Sequence, residues 1–307
     1  MTHNAVVLVG VDGSEASLRA LDWAGAHAQK IGWGVHIVCA YAVPTFAATS
    51  LDGGYATLDD EAIREGAQAV LDEATARMAG ASVPVTSALV TGDPAGVLVQ
   101  ESKQVRLAVV GTRGRSGFTE RLLGTVSSAL PAHAHCPTVV VPLRQEDPVP
   151  VPVRRIVVGV DGSPSAKGAL ARAIEEAELW EADLTAVTAI PIGAGAGLLG
   201  WLPASVDPET LLADAKAGLD VAVDQALEGR DLVVRRHALD GVGAALLAEF
   251  STAVDLVVVG TRGRGGFAGM LMGSTSQALL HHSNCPVMVV PARLQQEELP
   301  LIAPWAH

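Results

Sequence analysis

Short, Val-rich apolar runs punctuate the chain, and most of them stop at Gly or Pro. Between them lie longer segments with apolar residues mixed among charged and small ones. Runs of the first kind read as strands buried on both faces, and segments of the second kind as helices. In the first half the predicted strands fall at 5–9, 35–41, 83–90, 106–110 and 138–141. In the second half they fall at 156–158, 184–189, 233–239, 256–259 and 287–290.

Helix signals fill the gaps. Ser14 is placed as an N-cap with Glu15 in the first turn, where the helix dipole favours an acid. Gly32 is placed to end that helix. A helix is predicted over 59–78, stopping before Gly80, and another over 125–134. Asp93-Pro94 and Ser163-Pro164 each pair a capping side chain with Pro at the first helical position. Strand and helix alternate throughout, which predicts an α/β protein with doubly wound parallel sheets covered on both faces. Two strand orders are usual for such sheets, the six-stranded dinucleotide fold and the five-stranded 2-1-3-4-5 arrangement. Five strands per half fit neither the six-stranded fold nor an eightfold barrel.

The halves are copies. Gly10-Val11-Asp12-Gly13-Ser14 returns as Gly159-Val160-Asp161-Gly162-Ser163. Val110 to Arg115 returns as Val259 to Arg264, and Cys136-Pro137 as Cys285-Pro286. All three pairs share one offset, so a whole domain is duplicated rather than a short solenoid unit. The expected division is domain one at 1–143, domain two at 154–292, a Pro-rich, extended linker at 144–153 and a C-terminal tail at 293–307.

Composition narrows the setting. The 307 residues carry a net charge of −12, which disfavours broad contact with nucleic acid or an anionic membrane. Although 49% of residues are hydrophobic, no apolar run approaches the ~20 residues that span a bilayer. The beginning of the chain lacks the features of a secretory signal. Three cysteines, two of them repeat equivalents, argue against a disulfide scaffold and point to the cytoplasm.

Open parallel sheets bind ligands beyond the carboxyl ends of their strands. Asp12 and Asp161 follow strand one, and the loops from Gly111 and Gly260 follow strand four. Those loops run Gly111, two residues, Gly114, nine residues, Gly124-Thr125, and Gly260, two residues, Gly263, nine residues, Gly273-Ser274. Glycines let a backbone turn sharply and approach a ligand closely. The helix that opens next offers its amides and small hydroxyls to a phosphate, and Arg113, Arg115, Arg262 and Arg264 could add positive charge. Gly263 to Ala268 matches a dinucleotide fingerprint, but it follows the fourth strand and is broken in the first half at Ser116. No phosphate-binding motor loop and no Ser-His-Asp arrangement is apparent. His133, His135 and Cys136 have metal-like spacing, but the second half keeps only His282 and Cys285, so a helix C-terminus and a buried thiol are the simpler reading.

This paired glycine pattern, with the Val-Asp-Gly-Ser segments and the Cys-Pro strand openings, resembles the ATP-binding branch of the universal stress protein family in tandem form. The resemblance covers 5–142 and 154–291. It implies an adenine nucleotide alpha hydrolase-like fold, five parallel strands ordered 3-2-1-4-5 in each half. Asp12 and Asp161, with Gly10 and Gly159, would lie beside ribose and phosphates, and Ala40 and Ala189 would receive the adenine edge. Gly111, Gly114, Arg115, Gly124, Thr125, Val126 and Ser127 would hold ribose and phosphates. Gly260, Gly263, Arg264, Gly273, Ser274, Thr275 and Ser276 would do so in the second half. The expected ligand is ATP with Mg²⁺, and the expected role is that of a stress-response regulator rather than an enzyme, with slow hydrolysis at most. The alternative is a partner-binding stress protein with empty or degenerate pockets. The halves are expected to pair within the chain through their last strands, and two chains could form a homodimer. Asp93-Pro94 has no second-half counterpart, since Val242-Gly243 stands there, and the loops after strand two also differ.

Overall fold

A computed structural model describes residues 4–42, 48–49, 55–56, 60–112, 123–143, 151–192, 207–263 and 272–292. Residues 144–150 of the expected linker over 144–153 and the tail over 293–307 lie outside the described residues, as does most of the loop after each second strand. The first lobe runs β1 (Asn4–Val11), α1 (Glu15–Ile31), β2 (Gly34–Tyr41), β3 (Ala48–Thr49), β4 (Tyr55–Ala56), α2 (Asp60–Arg77), β5 (Val85–Thr91), α3 (Pro94–Glu101), β6 (Val105–Gly111), α4 (Thr125–His133) and β7 (Thr138–Val141). The second runs β8 (Arg155–Gly159), α5 (Pro164–Trp180), β9 (Asp183–Ile190), α6 (Pro208–Ala226), β10 (Val234–Asp240), α7 (Gly243–Phe250), β11 (Leu256–Gly260), α8 (Ser274–His282) and β12 (Val287–Val290).

The ten long strands form one sheet ordered β10-β9-β8-β11-β12-β7-β6-β1-β2-β5. Within each lobe this is 3-2-1-4-5, all parallel. The 2-1-3-4-5 order is not used. The halves do not keep separate sheets, because β7 and β12 pair antiparallel and fuse them. The pairing is centred on Val139 opposite Met288, equivalent positions of the repeat and both fully buried. The two-residue strands β3 and β4 pair in a small hairpin that the sequence pattern did not announce.

Alternate residues of the central strands enter opposite faces, and both faces are covered. Val7, Val9, Ile37 and Leu107 join the core beneath α1 and α2, and Leu8, Val38, Ala108 and Val110 join the core beneath α3 and α4. This is why the strands read as continuous apolar runs rather than alternating ones.

Local signals hold. Ser14 accepts from Ser17 N–H and Ser163 from Ala166 N–H, capping α1 and α5. Gly32 ends α1 at φ 76° with its N–H on the Ala28 carbonyl. The equivalent residue ending α5 is Glu181, held in the same left-handed region at φ 56°. That conformation crowds a Cβ, so Glu181→Gly should raise stability by about 0.5–1 kcal/mol, after allowing for glycine's freer unfolded chain. Urea denaturation would show the gain.

Charged residues also sit between the lobes. His27 of α1 and Glu176 of α5 are equivalent positions, 149 residues apart, and both are fully buried. His27 Nε2 lies 3.1 Å from both Glu176 oxygens. Arg172 Nη2 donates to Oε1 at 2.7 Å and Trp180 Nε1 to Oε2 at 3.2 Å. Trp23 stacks on the His27 ring at 5.2 Å, and Trp33 and Trp180 meet it edge-on. Burial alone would push the Glu176 carboxyl up, but His27 and Arg172 outweigh it and hold it at about 2. With Glu176 ionised, His27 Nε2 is the donor of this pair.

Candidate functional site

In each lobe the direction of chain crossing reverses between strands one and four, which are neighbours. In the first lobe a cavity of about 360 Å³ opens there, beyond the carboxyl ends of β1, β2 and β6. Its lining divides by chemistry. Val38, Ala40, Pro94, Ala95, Leu98 and Val110 make an apolar end, and Gly111 with Gly124 to Ser127 makes a polar one. Asp12 lies beside the end of β1, with Gly10, Val11 and Ser17. The structure therefore brings together the first-lobe residues singled out by sequence, except Gly114 and Arg115, which lie outside the described residues. Arg113 and, in the second lobe, Arg264 also lie outside them. Val38, Asp93, Pro94, Ala95, Leu98 and Val110 were not foreseen as lining. Only Asp93-Pro94 carried a hint, as a cap without a counterpart.

The glycines serve packing more than backbone reversal. Gly111, Gly124, Gly260, Gly263 and Gly273 do not adopt positive φ, whereas Gly13 and Gly162, just after the aspartates, do, each at 76°. A Cβ on Gly111 would stand 2.5 Å from the Ala16 carbonyl at the start of α1, and one on Gly260 would overlap Ser165 at the start of α5. A Cβ on Gly10 would stand 2.5 Å from Leu98 Cδ1. Absence of side chains lets strand ends one and four press against the helices that frame the site.

Asp12 orders its own turn. Its Oδ1 accepts from Ser14 N–H at 3.0 Å and from Ser14 Oγ at 2.6 Å, while its N–H donates to Ser17 Oγ. Asp161 Oδ1 likewise accepts from Ser163 N–H at 2.9 Å. Both aspartates thus sit in the turn before a capped helix, and Ser14 and Ser163 do the capping. In the second lobe the start of the strand-four loop, at Arg262 and Gly263, closes on this turn. Ser163 Oγ donates to the Arg262 carbonyl, and Arg262 N–H donates to Ser165 Oγ. A Cβ on Gly263 would lie 2.5 Å from Asp161 Oδ2, so that loop and that carboxylate meet. Beneath the first site, burial and then the Asp12 carboxylate push the Cys39 thiol up, which keeps it protonated and unreactive.

The helix starts are the other half of the site. Gly124 and Gly273 are the N-caps of α4 and α8, and neither supplies a capping side chain. The N–H groups of the first turn therefore lack the partner that Ser14, Asp93, Ser163 and Asp207 give to α1, α3, α5 and α6. The Ser127 hydroxyl does not point to a ligand as expected. It is buried and donates inward, shared between the Thr112 carbonyl at 2.7 Å and the Gly124 carbonyl at 3.0 Å. Ser276 does the same toward Thr261 and Gly273. These serines pin the helix start to strand four, and Thr112 and Thr261 in turn accept N–H groups from beyond strand five. Thr125 and Ser274 remain exposed at the first helical position, followed by Val126 and Thr275. In the second lobe Gly159 and Ala189 hold the places of Gly10 and Ala40 at the ends of β8 and β9.

The sequence profile of the universal stress protein family matches residues 4–142 and 152–291, one copy per lobe. The chain belongs to the universal stress protein family. Among curated universal stress proteins, Rv1996 of Mycobacterium tuberculosis is 32% identical over 319 residues, covering 96% of each chain. Rv2623 of the same organism is 33% identical over 301 residues, covering 92% of this chain and 95% of that one. The crystal structure of a universal stress protein from Archaeoglobus fulgidus superposes with a TM-score of 0.68 at 22% identity, over 95% of this chain and 100% of that one. As a tandem universal stress protein the molecule places its two strand-end sites at opposite ends of one sheet, because the antiparallel join reverses strand direction between lobes. Among the described residues no helix is long and apolar enough to cross a membrane.

Proposed function

We propose that this universal stress protein binds ATP with Mg²⁺ at the ends of both lobes and acts as a nucleotide-dependent regulator of the stress response. One observation carries the reading. A single cavity joins an apolar end, an aspartate and the uncapped start of a helix, in the sheet order β2, β1, β6. A nucleotide has the same sequence of parts. Its base suits Val38, Ala40 and Leu98, its ribose lies by Asp12, and its phosphates suit the first-turn amides of α4. The second lobe repeats Asp161, Ala189 and the uncapped α8.

The residues present fit the group. First-turn amides attract negative charge, and Asp12 would stand beside phosphates whose charge a divalent cation neutralises. The bound cation would supply charge neutralisation and orientation of the phosphate oxygens. The chain's own residues bind and orient. Asp12 already accepts two hydrogen bonds from Ser14 on one oxygen, so that oxygen is engaged in its own turn rather than held ready for an attacking water. That supports binding with slow hydrolysis at most.

Calorimetry with ATP, ADP and AMP in the presence of Mg²⁺ should show binding, and single-turnover assays with labelled ATP should show at most slow cleavage. Repeated turnover within minutes would overturn the regulatory role. Lack of heat with all three nucleotides would favour the partner-binding alternative.

A further inference from the structure

The two lobes share a phosphate seat but differ at the far rim. Matched at the repeat offset, Asp12, Val38, Ala40 and Leu98 of the first cavity recur as Asp161, Val187, Ala189 and Leu247. Among the lining positions only Asp93 changes charge, because its counterpart is Val242. Val242 is an exposed apolar side chain, 54% accessible, at an N-cap where it makes no capping bond.

Topology fixes which part of a ligand Asp93 meets. It follows β5, the outer strand of the order β5-β2-β1-β6. At about 4.8 Å per strand, the end of β5, two residues before Asp93, lies about 10 Å from the end of β1 and about 14 Å from the end of β6. The first-turn amides of α4 follow β6, at the opposite end of the cavity. Asp93 is therefore too far away to share a cation with phosphates seated there. It lines the cavity together with Pro94, Ala95 and Ala40, surfaces suited to a flat base. Its side chain is fixed by accepting the Gly96 N–H at 2.8 Å through Oδ2. An ionised carboxylate only accepts hydrogen bonds and has room for several.

We propose that Asp93 is a specificity-determining residue that accepts a hydrogen bond from an amino group on the edge of the base, so that the first lobe selects amino-bearing bases and the second lobe does not. The inference rests on the nucleotide reading above. A base without the amino group would cover the carboxylate oxygen that Gly96 does not engage and leave it without a donor, which is the situation that gives discrimination. Val242 has nothing to leave unsatisfied.

The test uses the full chain with one lobe silenced. Gly273→Asp silences the second lobe and Gly124→Asp the first, for reasons given in the Discussion. ATP is compared by calorimetry with purine riboside triphosphate, which differs only in lacking the 6-amino group. The Gly273→Asp chain should bind ATP at least about 10-fold more tightly than the analogue, equivalent to about 1.4 kcal/mol. Adding Asp93→Ser, which keeps an N-cap side chain and hence α3, should bring the two ligands to within about twofold. In the Gly124→Asp chain the two ligands should bind alike, and adding Val242→Asp should create a preference for ATP. Equal binding by the Gly273→Asp chain, or a preference that survives Asp93→Ser, would overturn the assignment while leaving nucleotide binding intact. Lack of binding of either ligand to the unsubstituted chain would overturn both.

Discussion

Gly273→Asp should strengthen the fold while removing nucleotide binding from the second lobe, and Gly124→Asp should do the same in the first. Both glycines are N-caps with ordinary backbone angles, φ −76° and −69°, so a side chain is tolerated there. A Cβ on Gly273 would meet its nearest atoms at 3.5 Å, ordinary contact. The introduced carboxylate would accept the first-turn N–H groups and face the positive end of the helix. Gains from capping and from the dipole together amount to about 0.5–1 kcal/mol. The same carboxylate would occupy the place proposed for phosphate and repel it, weakening ATP binding at that lobe on the order of 100-fold, or about 3 kcal/mol. Thermal denaturation and calorimetry on one sample would separate the two effects. A higher melting temperature with unchanged ATP affinity would refute the placement of the phosphates, and a lower melting temperature would refute the claim that these helix starts lack caps.

The second large effect concerns the buried charges between the lobes. Glu176→Ala should cost about 3–5 kcal/mol, the range for removing one partner of a buried ion pair. It would leave Arg172 and His27 without the carboxylate they share. Replacing His27, Arg172 and Glu176 together by Leu, Met and Leu should recover part of that loss, since His27, Arg172 and Glu176 are then removed as a set while Glu175 gives up its Arg172 partner. Urea titrations followed by Trp fluorescence would measure both, because Trp23, Trp33 and Trp180 surround the His27 ring. A cost below about 1 kcal/mol for Glu176→Ala would show that the cluster does not hold the lobes.

The same carboxyl predicts an acid response. Its folded pKa is about 2 against an ordinary 4.5. A depressed pKa means stability that is present above about pH 4.5 and lost as pH falls from there toward 2, on the order of 3 kcal/mol in all. Glu175, which burial pushes up, acts in the opposite sense and gains as it takes a proton. Glu176→Gln should flatten the stability profile between pH 4.5 and 2.

Much of the fold was legible because strands buried on both faces leave continuous apolar runs, and because Ser14, Gly32, Asp93-Pro94 and Ser163-Pro164 mark helix ends by local chemistry alone. The repeat gave the tandem plan. What local pattern does not carry is contact between distant segments. His27 and Glu176 look like ordinary helix residues until α1 and α5 are laid against each other. Gly111 and Gly260 were read as turn formers facing a ligand, and only the packing of strand four on the next helix start shows why a side chain is excluded. Ser127 and Ser276 were read as phosphate contacts from their place in a motif, but the inward carbonyls of Thr112 and Thr261 claim their hydroxyls. Asp93 was visible as a cap, and only the path of α3 over the sheet brings it to the cavity rim.

Because β7 and β12 meet head to tail, the molecule has two poles, one at each end of its strand axis. A small protein docked over one strand-end site does not reach the other. If both sites bind nucleotide as proposed, reading their occupancy takes two receptor molecules, one per pole, or a single receptor long enough to span the sheet.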